Sequence, residues 1–297
     1  MSMPQQVRLV EVGPRDGLQN EKQTIDATTK IELINRLSQT GLKTIEAGAF
    51  VSPKWVPQMA DTDVVFNGIN HHDECDYPVL VPNEQGMMRA IECGAKEIAI
   101  FTAASEGFCQ KNINCSVDES LKRFEPVLRL ASEHEMAVRA YVSCVVACPY
   151  DGPTKPQKVR DLSDQLLDMG AYEISLGDTI GVATPHDIDA LLKDVLSHLK
   201  ADHIALHCHD TYGCALANIA AALNHGIRVF DASIAGLGGC PYATGASGNV
   251  ATEDVIYMLH GMGYDTGVDI EKLVQTSRWF TQKTDLQARS KLSQIDI

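Results

Sequence analysis

Three things are missing from this chain, and each absence excludes something. No apolar run approaches the roughly 18 residues that a membrane-spanning helix needs, so no span is expected. No C-x-x-C pair occurs among the nine cysteines, an odd number scattered along 297 residues. That pattern argues against a disulfide framework and for reduced thiols in a cytosolic protein. Positive charge is also short: 25 basic residues face 39 acidic ones, a formal net charge of −14. Such a balance argues against nucleic acid or an anionic membrane as partner. The opening MSMPQQ is short and polar, unlike a signal peptide, and strand-like sequence begins by Val7. A cytoplasmic location is the expectation.

No Pro/Ser-rich linker or low-complexity stretch divides the chain, and short β-type runs alternate with longer amphipathic ones throughout. The pattern predicts strands at Val7–Val12, Thr44–Phe50, Tyr77–Val81, Glu97–Thr102, Ala137–Val146, Tyr172–Leu176, His203–His209 and Val229–Ile234. Helical patterns lie between them, among them Thr28–Thr40, Glu84–Cys93, Val117–His134, Pro156–Met169 and Thr252–Gly261. Gly41, Gly94, Gly170 and Gly226 each follow a helical run, where a left-handed terminator is expected. Eight evenly spaced strands with intervening helices predict an α/β fold, a single (β/α)8 TIM barrel over about 7–267. An open doubly wound sheet is the rival, because alternation does not by itself show closure. From about Asp269 a helical tail is expected beyond the eighth unit, polar and frayed at its end.

In such a barrel the chemistry sits where strands end. His207 and His209 in HIALHCHDT leave a buried strand on one face, with Cys208 turned away. They are either two hydrogen-bonded core histidines or a two-nitrogen claw for a divalent metal. The first strand runs into GPRDGLQNEK, whose glycines and proline present Arg15 and Asp16 side by side. Glu46 lies inside the second strand, where a carboxylate needs a partner, and Arg15 is one strand away. Asp178 and Thr179 end the sixth strand; Asp178 could act as cap, orienter or base. After the eighth comes AGLGGCPYATGASGN, a glycine-rich loop that reads as a mobile lid carrying Cys240. Asn249 closes it, as a helix cap or as a carbonyl-oxygen ligand.

Asp16, His207, His209 and Asn249 come from strands one, seven and eight, neighbours around a closed barrel. They offer two oxygens and two nitrogens and leave two octahedral positions for a substrate. One carboxylate, two imidazoles and an amide, without thiolate, suit Mg²⁺ or Mn²⁺ better than structural zinc.

The segments GPRDGLQNEK, FVSPKWVPQM, KNINCS, SLGDTIGV, HCHDTYG and AGLGGCPYATGASGN resemble the 3-hydroxy-3-methylglutaryl-CoA lyase family, from about Val7 to Gly267. The resemblance implies cleavage of that acyl-CoA to acetyl-CoA and acetoacetate, as in leucine breakdown, with a divalent metal cofactor. By resemblance the metal ligands fall on Asp16, His207, His209 and Asn249, the carbonyl-polarising arginine on Arg15 and the lid thiol on Cys240. Glu46 matches the acidic residue beside that arginine. Base and acid are left open among Cys240, His207 and Asp16. Lys22, Lys54 and Lys111 are candidates for the CoA phosphates or plain surface charge. The expected partners are an acyl-CoA substrate and a second copy of the chain in a dimer. Two departures stand out. Gly48-Ala49-Phe50 replaces a Ser-Phe pattern near Glu46, which could shift acyl preference, and no cysteine follows Asp269. The enzymatic alternatives are a lyase for a longer 3-hydroxyglutaryl-CoA analogue and an acetyl-CoA condensing synthase.

Overall fold

The computed structural model describes residues 5–239 and 248–295. Eight parallel strand positions run in chain order. They are β1 (Arg8–Glu11), β2 (in two pieces, Thr44–Ile45 and Gly48–Ala49), β3 (Val79–Leu80), β4 (Glu97–Ala103), β5 (Ala137–Ser143), β6 (Glu173–Asp178), β7 (Ile204–Cys208) and β8 (Val229–Ala232). Each agrees in place with a strand expected from the sequence.

Closure depends on β2. Its first piece pairs with β1 and its second with β3, so the two ends of the sheet are one continuous run of chain. Glu46 N–H donates to Glu11 C=O at 2.9 Å, and the next residue, Ala47, donates to Pro78 C=O at 2.9 Å. β8 pairs with both β1 and β7, completing the ring through β6, β5 and β4. A closed TIM barrel is therefore the fold, and the open sheet is excluded.

Helices surround the ring: α1 (Ala27–Ser38), α2 (Thr62–Gly68), α3 (Glu84–Glu92), α4 (Glu106–Ile113), α5 (Val117–Glu133), α6 (Pro156–Asp168), α7 (Pro185–Val195), α8 (Ala215–Asn224), α9 (Thr252–Gly261) and α10 (Ile270–Thr284). The four terminating glycines all have positive φ, as expected. The periodicity missed α2 and α4, which have seven and eight residues. So short a helix shows barely two turns of pattern, and α4 is set by its Ser105 cap, whose hydroxyl accepts from Phe108 N–H at 3.1 Å.

Two expectations are corrected. The fifth strand ends at Ser143, not Val146, because Cys144 turns left-handed at φ 61° and its N–H is taken by the Thr179 hydroxyl at 2.8 Å. The tail is not frayed through Ile295: α10 buries Leu273, Val274 and Phe280. Asp254 then pins the chain beyond it, accepting from the Ser290 hydroxyl and the N–H groups of Lys291 and Leu292 at 2.8–3.0 Å.

Inside the barrel the core is not wholly apolar. Arg139, on β5, heads the fully buried side chains by volume. It donates to Glu173 of β6 at 2.7 Å and forks onto both oxygens of Asp231 of β8 at 2.7 and 3.2 Å. Replacing Arg139 by Met keeps the bulk and strands Asp231 without its cation. Urea unfolding of Arg139→Met is expected to show a loss of about 3–5 kcal/mol; a loss below about 1 kcal/mol would mean the pairing is energetically neutral.

Candidate active site

The loop after β1 is a single π-type turn, Gly13–Gly17, closed by Gly17 N–H donating to Val12 C=O at 3.1 Å. Wide turns of this kind are frequent at functional sites. Glycine is required by close approach: a Cβ on Gly17 would sit 2.6 Å from the Ser233 hydroxyl, and one on Gly13 the same distance from Glu11 Oε1. The turn aims Arg15 and Asp16 over the barrel mouth. Arg15 Nε donates to Glu46 Oε2 and its Nη1 to Asp16 Oδ1, each at 2.7 Å. The expected Arg15–Glu46 pair is thus present, and it is buried.

His207 and His209 leave β7 on one face, their ring centroids 5.2 Å apart, while Cys208 packs into the apolar core. Ligand atoms of Asp16, His207 and His209 all lie within 4.8 Å of one another. Asn249 joins them because Gly248–Val250 runs beside the end of β7. Asp210 N–H bonds Gly248 C=O at 2.8 Å, Val250 N–H bonds Cys208 C=O at 3.2 Å, and Asn249 bridges His209. The Asn249 amide donates to Asp16 Oδ2 at 2.8 Å and to Leu237 C=O at 3.2 Å. Its Oδ1 is buried without a hydrogen-bond partner, as is His209 Nδ1. Asn249 does not cap α9, whose N-cap is Ala251. A buried acceptor without a donor is costly unless a ligand completes it. The carboxylate, two imidazoles and orphaned amide oxygen could hold a divalent cation.

Electrostatics separate these groups. Burial works against ionised Asp16, but Arg15 and the two imidazoles outweigh it and bring its pKa to about 2. Burial and the neighbouring His207 lower His209 to about 4. Burial also opposes the His207 cation, but the hydrogen bond to Asp231 and its negative charge overcome it and the pKa rises. For Arg15, burial is likewise outweighed by Glu46 and Asp16, so the guanidinium stays charged. Glu46 is raised by burial, with Arg15 offsetting part of the effect.

Arg15, Asp16, His207 and His209 line a cavity of about 760 Å³. Its walls include Tyr141, Phe108, Trp55, Lys111 and Arg123. Of the three lysines singled out, Lys111 lines it; Lys22 and Lys54 are exposed outside it. Asp178 pairs in register with Cys208 and faces away, its Oδ2 accepting from Ala183 N–H at 3.0 Å, so it stabilises the following turn. Gly48 packs against Thr62 of α2, whose hydroxyl bonds both backbone groups of Ala49. Neither residue lines the cavity. Cys240 and the rest of the expected lid, 240–247, lie outside the described residues.

Sequence reasoning passed over Arg139, Tyr141 and Asp231. The Arg15 guanidinium lies 5.3 Å from the Tyr141 ring centroid, and the Tyr141 hydroxyl is 3.3 Å from Glu46 Oε2. The signal was present in VRAYV and VFDA: charge inside a β run, the same cue that flagged Glu46.

The HMGL-like family model matches residues 6–279. The cytoplasmic 3-hydroxy-3-methylglutaryl-CoA lyase of Rattus norvegicus is 54% identical over 99% of this chain and 86% of its own length. The mitochondrial hydroxymethylglutaryl-CoA lyase of Gallus gallus is also 54% identical, over 99% and 98% of the two chains. The crystal structure of hydroxymethylglutaryl-CoA lyase from Pseudomonas aeruginosa superposes with a TM-score of 0.96 at 53% identity, covering 99% and 98% of the two chains. With that match over nearly its whole length, and with this barrel and this ring of polar groups at its mouth, the chain belongs to the HMGL-like family.

Proposed function

We propose that this enzyme is a metal-dependent carbon–carbon lyase that cleaves 3-hydroxy-3-methylglutaryl-CoA to acetyl-CoA and acetoacetate. The observation that carries the reading is the convergence of Arg15, Asp16, His207 and His209 on the wall of one cavity. Asp16, His207, His209 and Asn249 would hold a divalent cation, Mg²⁺ or Mn²⁺ by the hardness of the donors. When bound, the cation would orient the substrate's tertiary hydroxyl and lower its pKa.

Arg15 then serves the other half of the substrate. Breaking the C2–C3 bond sends an electron pair into the thioester, and a fixed cation beside that oxygen stabilises the enolate as it develops. Glu46 and Asp16 hold the guanidinium from two sides, so it need not reorganise during reaction. The reaction also needs a base for the hydroxyl proton and an acid for the new methyl group. Asp16, His207 and Cys240 are the candidates. Lys111 and Arg123 on the cavity wall supply cations suited to CoA phosphates. A condensing synthase and a longer-acyl lyase are not favoured: the relatives are named for the 3-hydroxy-3-methylglutaryl substrate. A role in leucine breakdown belongs to the same proposal. So does a cytoplasmic location, supported by the eight described cysteines all being free. Relatives of both cytoplasmic and mitochondrial name exist, and no described helix is long and apolar enough to cross a membrane.

The deciding experiment is acetyl-CoA release from 3-hydroxy-3-methylglutaryl-CoA, with Mn²⁺ or Mg²⁺ and then with EDTA. Turnover that EDTA abolishes and added metal restores is expected. Turnover indifferent to EDTA would sink the metal dependence, and no release with metal present would sink the lyase. Arg15→Gln should lower kcat by at least about 100- to 1,000-fold, because the lost interaction is made with charge that develops during reaction. An unchanged kcat would remove Arg15 from the chemistry. For Asn249→Ala, isothermal titration with Mn²⁺ should show affinity reduced by at least about tenfold; unaltered affinity would delete Asn249 from the ligand set.

A further inference from the structure

His207 and His209 reach the same cavity but are held differently. His209 Nδ1 is buried without a hydrogen-bond partner, whereas His207 Nδ1 lies 3.2 Å from Asp231 Oδ2. The contact is built into the sheet, since β7 and β8 pair with His207 directly opposite Asp231. Asp231 is fully enclosed and heavily supplied with donors. Arg139 forks onto both of its oxygens, and the Ser175 hydroxyl donates to Oδ2 at 2.6 Å. Arg139 is fixed in turn by Glu173, which also pairs with Arg8 at the start of β1.

A carboxylate gripped by a guanidinium fork and a hydroxyl is ionised, and an ionised carboxylate only accepts. The imidazole nitrogen facing it must therefore carry a proton; otherwise two lone pairs would meet in a buried site. Neutral His207 is then fixed with hydrogen on Nδ1 and a lone pair on Nε2. Tyr141 meets the same ring edge-on, at 6.2 Å between centroids and 85° between planes, which limits rotation.

We propose that Asp231 is a positioning residue: it sets the tautomer and ring angle of His207 so that the Nε2 lone pair is presented to the point shared with Asp16 and His209. Arg139 and Ser175 hold Asp231 in place for that task. The proposal rests on the metal reading above. It distinguishes the two histidines by partner, because His207 faces a buried carboxylate whereas His209 meets only the backbone of Thr179.

The test has two parts. In the wild-type chain, ¹⁵N-histidine NMR, with the His207 signal assigned by its loss in His207→Gln, should show the Nδ1–H tautomer in the neutral ring. A proton on Nε2 instead overturns the proposal without recourse to any Asp231 variant. In Asp231→Asn, Arg139 keeps the amide oxygen and the amide NH₂ turns toward His207, which must then accept. The tautomer should invert, and Mn²⁺ affinity should fall about 10- to 100-fold. A folded Asp231→Asn chain that binds Mn²⁺ within twofold of wild type overturns the proposal alone. A wild-type chain that binds no Mn²⁺ overturns the metal reading beneath it.

Discussion

Buried charge is tolerated in this barrel because each buried guanidinium is shared between two carboxylates. Arg139 lies between Glu173 and Asp231, and Arg15 between Glu46 and Asp16. Removing either cation from water costs several kcal/mol, and one partner rarely repays it. Two carboxylates bring the balance closer to neutral, although Glu46 Oε1 has no hydrogen-bond partner. They also fix geometry, because a fork held from both sides has little freedom. The lower pair supports the upper through His207, so the polar layer inside the barrel and the polar ring at its mouth form one structure.

The interrupted β2 places one of those carboxylates. Glu46 and Ala47 stand between the two paired pieces, where the chain passes its hydrogen bonds from β1 to the segment leading into β3. A regular strand could close the ring equally well, but its alternation would turn every second side chain outward. The break lets Glu46 reach Arg15 while Gly48, two residues on, packs out against Thr62 of α2. This explains why a Gly-Ala pair near Glu46 in sequence lies off the cavity in space.

Most of the barrel was legible because periodicity is local information. Strand alternation and glycine terminators need only a window of residues, and His207 and His209 could be placed on one face from spacing alone. Asp16 and Asn249 were legible for another reason: barrel closure makes strands one, seven and eight neighbours. What escaped depended on contacts across the ring. Arg139 and Asp231 are 92 residues apart and meet only because the sheet curls through β6 and β7 between them. The pinned tail escaped similarly, since a polar sequence looks frayed until Asp254 is seen to receive it. Cys144 shows the limit of composition: an apolar β-type run continues past Ser143, but a left-handed residue and the Thr179 hydroxyl end the strand.

Charge balance links the two ends of this argument. At the mouth, neutral imidazoles and an amide add nothing to the single negative charge of Asp16, so a divalent cation held there would retain net positive charge. Arg15 adds another, tempered by Glu46. A substrate bearing a carboxylate and a developing enolate would then meet positive potential at both reacting ends, within a protein whose overall charge is −14. Were His207 protonated, it would compete with the cation for Asp16 and lose its lone pair. A neutral His207 is therefore required, and burial alone would secure neutrality but not tautomer. Asp231 distinguishes the two nitrogens, and Arg139 holds Asp231 in place to do so. The buried pair below the site thus keeps the ring above correctly turned, while its pull toward the protonated imidazole would be opposed by a cation bound at Nε2.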